Sequence, residues 1–490
     1  MKAYTGILRA KGPLIFLKAV PGVRSGEMLR IMDGETERRA RLIRLEENFS
    51  VAQIYEGSDG LELDRTRVAY SGEPFTLRLG PDILGRSFNG TGEAIDGGGP
   101  FSGETERDIN GRPMNPMARV YPRNYIRTGI SSIDVLMTLI RGQKLPVFSG
   151  SGLPHRELAA QIISQADLGA QGGENFAVVF GAIGIKQSDA RYFEDYFRRS
   201  GASSHLVRFM NGANDPVAER ISTPRCALTC AEYLAFDLGM HVLVVLMDMT
   251  SYCEGLREIS SARDEVPGRK GYPGYLYSDL ASLYERAGIL KDRPGSVTML
   301  PILTMPGDDI SHPVPDLSGY ITEGQIVLSR SLMGAGVYPP VDILPSLSRL
   351  MKDGIGEGYT REDHSDLSNQ LFSAYAKLTD IRNLAQIMGK DDLSARDRAY
   401  LDFGEAFEQR FLKQGSEENR SIEESLDLGW KILSVLPDEE LDRLGEERLN
   451  KTLRPARRAA HAGERAQVQR RTDPAGRTYE SAHRDKIEFR

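Results

Sequence analysis

Residues 144–157 read KLPVFSGSGLPHRE, and this stretch sets the fold class. Leu145–Phe148 is an apolar run with strand character, Ser149-Gly150-Ser151-Gly152 breaks it, and ELAAQIISQA from Glu157 continues as a helix. Strand, glycine-rich turn and helix make the frame in which backbone N–H groups and a helix N-terminus surround a phosphate. The phosphate-loop pattern is G-x-x-x-x-G-K-[ST]. Laid over Ser149–Arg156, it puts Ser149 and Pro154 at the two Gly positions, His155 at the Lys and Arg156 at the hydroxyl. Proline removes a donor and fixes φ. An imidazole, unlike a lysine, is largely uncharged at pH 7. Arg156 has no hydroxyl for Mg²⁺. By itself the loop admits two readings: an ordinary glycine-rich βα turn, or a phosphate loop that has lost its hydrolytic chemistry. In the second, Gly150, Ser151, Gly152 and His155 are the weak nucleotide contacts.

The remainder of the chain bounds the answer. At 490 residues it can hold two or three cores. Its 40% hydrophobic and 27% charged content is ordinary for a globular protein, and a net charge of −7 argues against a whole-protein nucleic-acid surface. Cys226, Cys230 and Cys253 make no disulfide framework and suggest a reducing compartment. Cys226 and Cys230 lack a second ligand pair, so core packing is expected there and no metal site. No signal peptide is evident, and no run approaches the ~18–20 apolar residues of a membrane-spanning helix.

Residues 1–73 read as short strands punctuated by Gly6, Gly12, Gly22, Gly26 and Gly34, which suggests a small β-barrel. Residues 74–355 open with a Gly/Pro/Asn-rich connector anchored by Ile83, Leu84, Phe88, Phe101, Met114 and Met117. From about residue 131, apolar strands at Leu145–Phe148, Phe176–Phe180, Leu206–Phe209, Val242–Met247 and Val297–Leu303 alternate with helices, the pattern of a mostly parallel α/β sheet. Residues 356–453 carry helical periodicity, with Leu367, Leu371, Tyr375, Leu378, Ile381, Ala385 and Met388 on one face. Residues 454–490 are Arg-rich and apolar-poor, the composition of a solvated, disordered tail.

Two further features carry chemistry. The apolar strand His241–Met247 ends in Asp248, a Walker B-like carboxylate that could hold Mg²⁺ through water. Residues 339–351, PPVDILPSLSRLM, contain three prolines that forbid a regular helix or central strand. The expectation is a rigid, irregular loop presenting Ser346, Ser348 and Arg349, with the two serines as further weak nucleotide contacts. Arg349 either pairs with a nearby carboxylate or offers its planar fork to a phosphate.

The runs NGANDPVAERISTPRCALTCAEYLAFDLGMHVLVVLMDMTSYCEGLREIS (211–260), PGRKGYPGYLYSDLASLYERAG (267–288), PGDDISHPVPDLSGYITEGQIVLSR (306–330) and PPVDILPSLSRLMKDGIGEG (339–358) resemble the B-type, or beta, subunits of the V/A-type rotary ATPases. The likeness extends over about residues 4–453, and FSGSGLPHRE resembles the family's own form of the loop. The resemblance implies an N-terminal β-barrel, a central RecA-like domain and a C-terminal helical bundle. It implies a non-catalytic member of an A3B3 head, in which three catalytic A-type and three B-type subunits surround a central-stalk rotor and are held by a peripheral stalk. ATP or ADP with Mg²⁺ would lie at A–B interfaces, the metal held mainly by the catalytic partner. Arg349, in SLSRL, matches the arginine finger that the B-type chain donates to that partner. In GAIGIKQSDARYF, Ile185 stands where catalytic subunits carry the water-activating Glu. The head would couple ATP synthesis or hydrolysis to H⁺ or Na⁺ transport from the cytoplasmic face of the membrane. Membrane contact would run through the ion-translocating sector alone, and no nucleic acid is implied.

Two alternatives stand beside this. A self-sufficient RecA-like hexamer, such as a type III export ATPase or a transcription-termination helicase, needs the Lys and Ser/Thr that His155 and Arg156 replace. A catalytically inert RecA-fold scaffold has no need of Arg349.

Overall fold

The computed structural model describes residues 3–5, 7–111, 114–169, 175–389 and 391–453. The Arg-rich stretch 454–490 lies outside the described residues. The chain divides into two compact units: Met1–His364 with Glu408–Ile422, and Ser365–Phe407 with the chain from Glu423.

The first unit begins with a seven-stranded antiparallel sheet, in the order Ala3–Thr5, Arg67–Pro74, Glu27–Asp33, Thr36–Leu45, Phe49–Ile54, Leu14–Lys18, Ile7–Lys11. Alternation decides its inner face: Leu29 and Ile31 are buried and Arg30 between them is exposed. The outermost strands are separated by one residue of chain, so the two edges lie within about 7 Å and the sheet curls into a barrel. Ile15, Leu17, Leu29, Leu42, Ala52 and Ile54 fill it.

The central sheet is built from β1 (Ser87–Asn89), β2 (Val147–Gly150), β3 (Phe176–Ile185), β4 (Leu206–Gly212), β5 (His241–Met247), β6 (Ser296–Met305), β7 (Gly324–Leu328) and β8 (Val341–Ser348). Their order is β8-β7-β2-β6-β5-β3-β4-β1. These eight pair in parallel except β8, which runs antiparallel to β7; a ninth strand of two residues, Gly288–Ile289, pairs antiparallel with β6 off this path. Parallel strands need crossovers, and the helices α1 (His155–Gln165), α2 (Gln187–Ser200), α3 (Val217–Glu232), α4 (Met249–Ala262), α5 (Leu276–Tyr284) and α6 (Pro313–Ile321) lie between them in the chain. Strands covered on both faces are apolar throughout: Val242 to Leu246 are fully buried. The helices pack by periodic apolar faces, as where Phe193 and Phe197 of α2 meet Phe180 of β3 at ring distances of 4.8 and 5.8 Å. Cys226 and Cys230 of α3 and Cys253 of α4 are free and buried, and burial pushes the Cys226 thiol up to about 12.

Three expectations change here. The connector 74–130 supplies a strand, β1, whose Phe88 stacks on Phe209 at 5.3 Å, while Met117, expected as an anchor, is 78% exposed. The strand read as ending at Phe148 continues to Gly150. Residues 339–351 are not an irregular loop, because β8 runs through them as the antiparallel edge strand. An edge strand tolerates proline, and Pro345 sits in a register irregularity opposite Gln325–Val327.

The second unit is helical: α7 (His364–Met388), α8 (Ala395–Ala406) and α9 (Ile422–Leu433). Leu367, Leu371, Ala374, Tyr375, Leu378 and Ile381 bury one face of α7, but burial ends there and Met388 is exposed. Gly404 admits α8 against Leu378, and Gly429 admits α9 against Leu367 and Leu371, where a Cβ would lie 2.3 and 3.0 Å from leucine methyls.

His364 starts α7 fully buried, with Nε2 2.9 Å from the Val135 carbonyl and Nδ1 3.0 Å from Thr360 Oγ1. The carbonyl can only accept, so Nε2 carries a proton. Burial pushes its pKa down from 6.5 to about 4. The unfolded chain therefore binds the proton first, and stability falls as pH drops through this window. Between pH 7 and pH 5, wild type should lose about 2 kcal/mol more than His364→Gln, read by urea denaturation at both pH values.

Candidate functional site

β2 delivers the glycine-rich loop to the carboxyl edge of the sheet, where ligands bind in open α/β folds. Gly152 there has φ +80°, a left-handed conformation that favours glycine. The loop's own groups are largely spent. Leu153 N donates to the Gly150 carbonyl (3.2 Å) and His155 N to the Leu153 carbonyl (2.9 Å). The His155 imidazole is folded back, with Nδ1 3.0 Å from Ser149 Oγ. The Arg156 guanidinium bonds Asp189 (2.5 Å) and Glu157 (2.6 Å) and lies 4.7 Å from the Tyr192 ring. Across the loop, Arg330 donates to the Ser151 carbonyl (2.9 Å) and grips Asp308 through two 2.8 Å bonds. A Cβ on Gly150 would lie 2.1 Å from Asp308 Oδ1, so an acid stands against the loop. Two consumed N–H groups, a sequestered cation and an adjacent carboxylate do not fit a Mg²⁺–triphosphate held for hydrolysis.

Asp248 reaches the same edge because β5 lies one strand beyond β6 from β2. Its carboxylate caps α4, accepting from Thr250 N (2.9 Å) and from Thr304 Oγ1 of β6 (3.3 Å). Burial pushes its pKa up, against the pull of the Thr250 N–H bond. Ile185 ends β3 and is 6% exposed, with no proton-accepting group to offer. No cluster of three or more metal-ligating side chains occurs among the described residues.

Arg349, Ser346 and Ser348 are elsewhere. Ser348 pairs with Gly324 at the start of β7, and Val147 of β2 pairs with Ile326. Gly150 therefore lies five residues of parallel strand away, about 16 Å, at the opposite edge of the sheet. Ser346 and Ser348, expected as weak nucleotide contacts, therefore lie with Arg349 and apart from the loop. Their hydroxyls are structural: Ser346 Oγ donates to Asp342 O (2.5 Å) and accepts from Val327 N (2.8 Å), across the register irregularity. Ser348 Oγ donates to Thr138 O (3.1 Å) and accepts from Gln143 Nε2 (2.9 Å).

Arg349 is exposed one residue past β8. Its backbone N donates to Glu323 O (2.9 Å) and one guanidinium nitrogen to Thr322 O (3.2 Å). It forms no ion pair with any carboxylate among the described residues, so the structural pairing open at the sequence level is not made there. Reading the sequence alone missed Thr322, Glu323, Asp308 and Arg330, since only the fold brings them to these edges.

The sequence matches the ATP synthase alpha/beta family, nucleotide-binding domain, over residues 129–348, and the C-terminal domain of V and A type ATP synthase over 353–453. It is 58% identical over 456 residues to the V-type ATP synthase beta chain 2 of Clostridium tetani (strain Massachusetts / E88), covering 92% of this chain and 99% of that one. It is likewise 58% identical over 452 residues to the V-type ATP synthase beta chain of Thermotoga neapolitana, covering 92% and 98%. The chain belongs to the beta, or B, subunit family of V- and A-type ATP synthases. Among solved structures, an ATP synthase subunit, NeqB, from Nanoarcheaum equitans superposes with a TM-score of 0.69 at 41% identity, covering 84% of this chain and 98% of that one. The barrel, the parallel sheet and the helical unit are thus the fold of an ATP synthase beta chain, with a domain of nucleotide-binding type at its centre.

In this beta-type loop, restoring one residue should not restore hydrolysis. With His155→Lys, Arg156 stays paired and Ile185 still supplies no base. Phosphate release from ATP by the purified variant should match the background of wild type; clear turnover would show that the missing Lys was the sole defect.

Proposed function

We propose that this chain is the non-catalytic, B-type member of a rotary ATPase head, alternating with the catalytic subunit in a ring of three and three, and that Arg349 is the finger it supplies to its neighbour's ATP site. The observation that carries this is the position of Arg349: an exposed, carboxylate-free guanidinium held by the Thr322 carbonyl, on a residue whose backbone N donates to the Glu323 carbonyl, about 16 Å of strand from the chain's own loop. A cation so placed cannot serve a phosphate in its own loop and is free to serve one on a neighbour. An Arg supplied in trans neutralises charge developing on the transferred phosphoryl group and is worth ~10³–10⁵ in rate. ATP or ADP with Mg²⁺ lies at the interface between the two kinds of subunit, the metal held mainly by the catalytic one. The closed loop of this chain leaves its own contacts, Gly150, Ser151, Gly152 and His155, at most a weak nucleotide site.

No helix among the described residues is long and apolar enough to cross a membrane. In the proposed head, the chain meets the membrane through the ion-translocating sector, with central-stalk and peripheral-stalk subunits between, on the cytoplasmic face. It couples ATP synthesis or hydrolysis to movement of H⁺ or Na⁺.

The test is ATP turnover by the purified chain alone and mixed with the matching catalytic subunit. The chain alone should be inactive and the mixture active. Arg349→Ala should leave the ring assembled and lower kcat by at least about 10³, and Arg349→Lys should lose most of the rate because an ammonium cannot replace the fork. Near-normal turnover by both variants in an intact ring would defeat the finger and favour an inert scaffold.

A further inference from the structure

The residues that hold Arg349 are themselves held from the strand that carries the phosphate loop. Lys144 stands just before β2, its side chain 5% exposed. Its Nζ lies 2.8 Å from Glu285 and 2.9 Å from Glu323 Oε1, and its backbone N donates to Glu323 Oε2 at 2.8 Å. Both oxygens of Glu323 are thus taken by one residue. In return, Glu323 N donates to the Lys144 carbonyl at 3.2 Å. Gln143, fully buried, donates through Nε2 to the Glu323 carbonyl (3.3 Å) and to Ser348 Oγ (2.9 Å), the residue before Arg349. The Glu323 carbonyl also receives Arg349 N, and the preceding carbonyl, of Thr322, receives the guanidinium. Gly324 closes the junction: a Cβ there would lie 2.2 Å from Leu347 O, so the two chain segments meet backbone to backbone.

We infer that Lys144 is a positioning residue for Arg349, acting through Glu323. It does two things. It fixes the Thr322–Glu323 peptide whose carbonyls orient the arginine. It also neutralises the one acid built into that peptide, which otherwise would compete with an incoming phosphate for the guanidinium. A buried ammonium needs partners of this kind, and the two carboxylates supply them. Because Lys144 leads directly into β2 and the loop, the finger and the loop at opposite edges of the sheet hang on one strand.

The inference rests on Arg349 being the finger, and the experiment separates the two. Rings of the catalytic subunit with wild type, Arg349→Ala, Lys144→Met, or Lys144→Met with Glu323→Gln are assayed for assembly, kcat and KM for ATP. The finger acts on the transition state, so a misplaced one lowers kcat and spares KM. Lys144→Met should assemble, with kcat down about tenfold to a hundredfold and KM within about twofold. Adding Glu323→Gln removes the freed carboxylate while keeping an oxygen to accept from the backbone N–H of position 144, and should recover most of that loss. Wild-type kcat for Lys144→Met beside a dead Arg349→Ala would overturn the positioning role and leave the finger standing. A double variant no better than Lys144→Met would overturn the carboxylate competition. Full activity in Arg349→Ala would overturn both readings. Should Lys144→Met fail to enter the ring, Glu323→Asp, which draws the carboxylate back from Lys144, carries the same test: reduced kcat at unchanged KM supports the role, and wild-type kcat overturns it.

Discussion

A parallel sheet has two unlike ends, and that polarity governs this molecule. β2, β6 and β5 run side by side in register, so the loop after β2 and the acid after β5 emerge together at the carboxyl edge. β8 is the exception. By pairing antiparallel to β7 it returns the chain to the amino edge, and Arg349 leaves the sheet there. That reversed strand puts Arg349 at the edge opposite the glycine-rich loop.

The carboxyl edge is self-satisfied. Charges that a working phosphate loop would aim at a nucleotide are paired within the protein: Arg156 with Glu157 and Asp189, Arg330 with Asp308. Asp248 is occupied as a helix cap. The amino edge is the reverse, with Arg349 bound by carbonyl oxygens that orient it without neutralising it. Carbonyl dipoles leave the full cationic charge available to a phosphate, whereas a carboxylate would compete for it.

Much of this was legible beforehand because it depends on local chemistry. Pro154, His155 and Arg156 lack the glycine, the ammonium and the hydroxyl of a hydrolytic phosphate loop whatever surrounds them. Apolar runs such as Val242–Met247 announce buried strands, and Leu367 to Ile381 a buried helix face. The failures have physical causes too. β1 is three residues long, and its Phe88 is buried by Phe209, far away in sequence. Pro339, Pro340 and Pro345 signal a break from an ideal strand, but a proline at a sheet edge needs no ladder bond, and Ser346 Oγ takes up the Val327 N–H that the irregularity frees. Nor does anything local show that Asp342, Gln143 and Thr138 engage the hydroxyls of Ser346 and Ser348.

By itself the sequence determined the fold class and the loss of the loop's Lys and hydroxyl, because side-chain type and short-range periodicity suffice for these, and its long runs carried the resemblance to beta-type subunits. The tertiary structure decided where the surviving chemistry points. Whether Arg349 meets a carboxylate, its own loop or open solvent depends on strand order, strand direction and the Lys144–Glu323 contact, which joins positions far apart in the chain. Such contacts are set by packing of the whole sheet and leave no mark in any local stretch.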